Sequence, residues 1–101
     1  MRIEILYIPG CPNYEPALER LQAVLESQSL QAEIRSVPIS GGDQAKALLF
    51  PGSPTIRING EDVEQHEKIA PSLACRLYAN RSGVPSEEVL RRAVGRAKRE
   101  E

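Results

Sequence analysis

The chain has 101 residues, 41% hydrophobic and 27% charged, with a formal net charge of −1. That length and composition fit one globular domain over 1–101 and exclude two. The near-neutral charge argues against a nucleic-acid binder, which carries a clear basic excess. No apolar run approaches the roughly 20 residues of a membrane helix.

Residues 2–8 alternate Ile3, Ile5 and Tyr7 with Glu4, while Leu6 and Ile8 make the second half apolar on both faces. This predicts a strand entering the middle of a sheet, ended by Pro9-Gly10. Residues 13–28 place Tyr14, Ala17, Leu18, Leu21, Val24 and Leu25 on one helical face, with Asn13 as the expected cap and Pro16 tolerable only near the first turn. Residues 31–39 read as a second strand. Strand, helix and strand so close together form a βαβ unit with parallel strands.

Gly41-Gly42 break the chain. Residues 43–50 suggest a short helix with Ala45, Leu48 and Leu49 inward. After Pro51-Gly52-Ser53-Pro54, residues 55–59 alternate as a third strand. Asn59-Gly60 is a strong hairpin signal, with residues 61–64 as the return strand. Residues 65–74 predict a turn or one helical loop. Residues 75–79 fit either a fifth short strand or a helical turn. Ser86 is placed to cap a last helix with Val89, Leu90, Ala93, Val94 and Ala97 on one face. With no Trp and only one Phe, the core should be built from Leu, Ile, Val and Ala. The basic residues Arg91, Arg92, Arg96, Lys98 and Arg99 read as a solvated helix face. The pattern is an α/β fold, β-α-β-(α)-β-β-α, with a mixed sheet of four strands, or five if residues 75–79 pair.

The opening residues are too short and too charged for a signal peptide, so a cytoplasmic location is expected. Two cysteines, Cys11 and Cys75, are too few for a disulfide scaffold; in a reducing compartment such thiols are buried, catalytic or metal-binding. Cys11 follows the first strand at the mouth of the first helix. Unpaired N–H groups and the positive end of the helix dipole favour an anion there, and the thiolate is the attacking and metal-binding form. The bland reading is a small hydrophobe in a tight turn.

A strand ending in Pro-Gly-Cys-Pro, a following helix, and Ser-Pro-Thr before an Asn-Gly hairpin resemble the thioredoxin superfamily over roughly residues 2–70. The resemblance implies that Cys11 is the attacking thiol, that Pro54 follows a cis bond and lies against it, and that Ser53 offers backbone hydrogen bonds to a bound thiol compound or peptide. It sets Pro12, Tyr14 and Thr55 around the same site. The chain departs from the family where Cys-x-x-Cys is expected, having Cys11-Pro12-Asn13-Tyr14. Tyr14 either packs over or donates to Cys11, or is a first-turn core contact.

Cys75 has three readings: a buried core residue, a distant resolving thiol, or a partner to Cys11 in holding a soft metal ion. The sequence also looks like small bacterial thioredoxin-like proteins, some labelled alkylmercury lyase-like. That label implies carbon–mercury cleavage by two thiols and an acid. Nothing among Glu15, Asp43, Glu61 and Asp62 singles out the acid, and Asp62 reads as turn chemistry. His66 sits in polar company and reads as exposed. No phosphate loop, His-rich metal motif or Ser-His-Asp set is visible, so no cofactor is expected.

Three functional expectations follow. The first is a single-thiol redox or thiol-transfer protein acting on a small thiol or a protein disulfide. The second is a soft-metal (mercury, copper or zinc) or alkylmercury lyase-like protein using Cys11 and Cys75. The third is a binding module without chemistry.

Overall fold

A computed structural model describes residues 1–65 and 71–100. The elements are β1 (Arg2–Tyr7), α1 (Tyr14–Ser27), β2 (Glu33–Pro38), α2 (Gly42–Ala47), β3 (Thr55–Ile58), β4 (Glu61–Asp62) and α3 (Glu87–Glu100). The strands form one mixed four-stranded sheet in the order β2-β1-β3-β4. β1 pairs parallel with β2, as the βαβ reading expects, and antiparallel with β3.

The alternation of β1 divides the core. Ile3 and Ile5 pack with Ile56 and Ile58 of β3 against Ala17, Leu21, Val24 and Leu25 of α1 and Leu90, Ala93, Val94 and Ala97 of α3. Leu6 joins a second cluster with Ile39, Ala45 and Phe50. Thus α1 and α3 share one core and α2 belongs to the other. A side chain buried as fully as Ile5 contributes about 1.5–3 kcal/mol of transfer free energy. The expected Leu, Ile, Val and Ala core needs one correction. The only Phe, Phe50, is fully buried, and Tyr78 is buried as well.

The hairpin turn forms as read, but the return strand is only Glu61–Asp62, not 61–64. Asn59 and Gly60 both take positive φ, +53° and +86°, which the tight hairpin turn requires. Ser86 caps α3, its Oγ accepting from the Val89 N–H at 3.1 Å. Asn13 holds the N-cap position of α1 but its side chain makes no capping bond; it packs against Gly83 instead. The basic residues of α3 do form a solvated face, where Arg91 and Arg92 pair with Glu87 and Glu88 one turn back.

Both α1 and α2 end without glycine. Beyond α1, Leu30 N–H reaches Leu25 C=O and Ser29 N–H reaches Glu26 C=O. Beyond α2, Phe50 N–H reaches Ala45 C=O and Leu49 N–H reaches Lys46 C=O. Each is a Schellman closure, with Ser29 (φ +54°) and Leu49 (φ +50°) left-handed. The closure at Leu49 turns Phe50 inward. It also leaves Leu48 and Leu49 37% and 55% exposed, against the sequence expectation that both face the core. The fifth strand is absent among the described residues: Cys75 makes a single parallel bridge to Ser53. His66 and residues 66–70 of the expected turn lie outside the described residues.

Leu49→Gly should raise stability by about 0.5–1 kcal/mol, because glycine takes a left-handed C′ position without steric cost. Urea unfolding of the two chains measures it.

Candidate functional site

The Ile8-Pro9-Gly10-Cys11 turn sets the position of the first thiol. Cys11 N–H donates to Ile8 C=O at 3.0 Å, and Gly10 takes φ +88°, as the third position of a type II turn requires. A second turn follows, with Tyr14 N–H donating to Cys11 C=O at 3.3 Å. Cys11 therefore stands just before α1, as expected. The donors around it are fewer than the position suggests. Pro12 and Pro16 have no N–H, and the Tyr14 N–H is already engaged.

Ser53 ties three segments together. Its Oγ accepts from Ile8 N–H at 3.0 Å, its N–H donates to Ala74 C=O at 3.0 Å, and its C=O accepts from Arg76 N–H at 2.9 Å. The Ser53–Pro54 bond is cis, as the resemblance implied. The expected exposure of the Ser53 backbone is not found. Ser53 is 1% exposed, and residues 74–76 of the same chain hold both backbone groups. Gly52 makes this approach feasible. A Cβ there would meet Arg76 Cβ at 3.0 Å and Ala74 C=O at 3.1 Å.

The 74–79 segment alternates opposite to a simple apolar pattern. Arg76 and Tyr78 are buried, whereas Cys75 and Leu77 are exposed. Arg76 makes a bidentate pair with Asp62, Nη1 to Oδ2 at 2.7 Å and Nη2 to Oδ1 at 3.0 Å. It also donates to Glu64 C=O at 2.8 Å and to Thr55 Oγ1 at 3.2 Å. Its guanidinium lies 4.2 Å over the Tyr78 ring, a cation–π contact. Tyr78 OH donates to Pro54 C=O at 2.6 Å, and Ala79 N–H donates to the Glu64 carboxylate. Burial holds the Tyr78 hydroxyl well above the ordinary phenolic range, against the opposing pull of Arg76.

The consequence is an open cleft of about 240 Å³ lined by Ile8, Pro9, Gly10, Cys11, Ser53, Leu73, Ala74 and Cys75. Both thiols are free and both line it. Cys75 is exposed, which removes the core reading, and Cys11 is half-buried.

The other expected residues sit around this cleft differently. Pro54 is fully buried behind Ser53, and its carbonyl serves Tyr78. Thr55 is fully buried, donating to Gly52 C=O and accepting from Arg76. Pro12 is exposed beside the Cys11 turn. Tyr14 stacks on Tyr7 with ring centroids 4.1 Å apart and shares a 2.7 Å hydrogen bond with Ser36, so its hydroxyl is aimed at β2. Asp62 holds Arg76 and accepts from Glu64 N–H, a turn role plus an ionic one. Arg76 and Leu73 were not singled out by the sequence. The signal was the period-two run Cys75-Arg76-Leu77-Tyr78, legible only once its polar-inward phase is known.

Among the described residues no cluster of three or more His, Cys, Asp or Glu side chains could hold a metal. No helix among them is long and apolar enough to cross a membrane. The chain matches no known family, no curated protein and no solved structure.

Asp62→Ala should cost about 3–5 kcal/mol, because it leaves the Arg76 charge buried without its carboxylate; urea unfolding measures the loss. Tyr78 should also make stability fall with alkali. Unfolded, its hydroxyl ionises near pH 10, whereas folded it keeps its proton to higher pH. The unfolded chain therefore binds fewer protons above about pH 10, and stability drops there. Tyr78→Phe should remove that part of the alkaline slope in urea midpoints measured from pH 8 to 11.

Proposed function

We propose that this chain is a thioredoxin-like thiol–disulfide exchange protein in which Cys11 attacks and Cys75 resolves. One observation carries the reading: two free thiols from distant parts of the chain line a single open cleft. A parallel strand pair followed by an antiparallel hairpin, with Cys11 after the first strand, supports the fold assignment. The missing Cys-x-x-Cys partner is then replaced from the 74–76 segment.

The exchange runs in two steps. The Cys11 thiolate attacks one sulfur of a disulfide RS–SR, the S–S bond breaks, and RS⁻ leaves to take a proton from water. The Cys75 thiolate then attacks the Cys11 sulfur of the mixed disulfide, closes a Cys11–Cys75 disulfide and releases the second RS⁻. Two electrons pass from the cysteine pair to the substrate disulfide. An external dithiol reductant restores both thiols. The step needs Cys75 to reach Cys11, which a shared cleft favours and which raises its effective concentration over any thiol in solution.

The same pair of thiols supports a second reading, two-coordinate binding of a soft metal cation. The two readings differ in what Cys75→Ser does. Under exchange, reduced Cys75→Ser treated with bis(2-hydroxyethyl) disulfide should accumulate a stable Cys11 mixed disulfide, whereas the unmutated chain passes on to an internal disulfide. Cys11→Ser should do neither. Intact-mass and peptide-mapping spectrometry reads each product. Modification of Cys75 in preference to Cys11 would overturn the assigned roles.

A further inference from the structure

The exchange cleft has a distinctive chemical lining. Of its eight residues none carries a charge, and its apolar walls come from Ile8, Pro9, Leu73 and Ala74. Its volume of about 240 Å³ lies below the roughly 300–1,000 Å³ typical of pockets for drug-sized ligands. The polar groups that would pair with an extended peptide, the Ser53 N–H and C=O, are bonded to Ala74 and Arg76. The Arg76 guanidinium, the charge nearest in sequence to Cys75, is turned inward onto Asp62 and is 3% exposed in that pair.

Resting on the exchange reading, we infer that the cleft takes small uncharged organic disulfides in preference to anionic ones such as glutathione disulfide, or to cysteine-bearing peptides in extended form. A carboxylate entering the cleft loses water and gains no cation from the described lining residues, an uncompensated cost. An apolar or hydroxyl-bearing substituent meets Ile8 and Leu73 without that cost. An extended peptide would have to displace residues 74–76 from Ser53, and with them the anchoring of Arg76. Leu73 is the wall that decides the preference. It is 50% exposed, sits at the mouth of the cleft and belongs to the same segment as Cys75.

Two reagents of similar size separate charge from shape: neutral bis(2-hydroxyethyl) disulfide and dianionic 3,3′-dithiodipropionate. The rate of Cys11 mixed-disulfide formation is measured with each, on reduced Cys75→Ser, folded and in denaturing urea. The unfolded chain supplies the intrinsic ratio of the two reagents. Folding should multiply the neutral-to-anionic ratio by about tenfold or more, and Leu73→Lys should remove most of that gain by placing a cation at the rim. Leu73 is half exposed, so the variant should keep the fold, which its urea midpoint checks. Equal ratios in the folded and unfolded chain would overturn the inference while leaving exchange standing. If neither reagent reacts faster with the folded chain than with the unfolded one, the exchange reading falls and the inference falls with it.

Discussion

The site depends on one buried ion pair. Arg76 leaves the surface to meet Asp62 in a bidentate contact, and the same guanidinium reaches Glu64 and Thr55. A pair of this kind adds little net stability over well-packed apolar residues, yet removing one partner is expensive. Its contribution here is positional. It fixes a segment without regular secondary structure against the start of β3 and the end of β4. Because the segment alternates, an inward Arg76 obliges Cys75 to face outward, into the cleft that Cys11 also lines.

The second constraint is backbone pairing at Ser53. A buried N–H or C=O must find a partner, and here the chain supplies its own. Ala74 and Arg76 fill both groups, and Gly52 has no Cβ to hold them off. The edge that would otherwise be open to an extended ligand is closed, leaving a small apolar cleft with two thiols. Anchoring of the segment and selectivity of the cleft thus have one physical origin.

Much of the fold was legible in the sequence because its signals were local. Period-two alternation marked β1 and β3, a 3.6-residue period marked α1 and α3, and Asn59-Gly60 marked the hairpin. The misses were of another kind. Leu48 and Leu49 looked inward because no glycine announced the end of α2; Leu49 itself took the left-handed position, and Phe50 became the core residue. Asn13 looked like a cap, but its side chain packs on Gly83. Both outcomes depend on tertiary neighbours that local pattern does not carry. For the site, Cys11 was found from its place between strand and helix. Cys75 had three readings, two of them as a partner to Cys11. Its place in the same cleft was not legible, because its outward face is set by the Arg76–Asp62 contact, and a buried arginine has no period of its own.

The central claim is that Cys11 and Cys75 form one working pair held by this clamp. Limiting diamide added to the dilute, reduced chain, followed by proteolytic mapping without reductant, tests it most directly. One intramolecular Cys11–Cys75 disulfide and no covalent dimer are expected. Two cysteines that stay free in the folded chain, or that cross-link only between molecules, would contradict it.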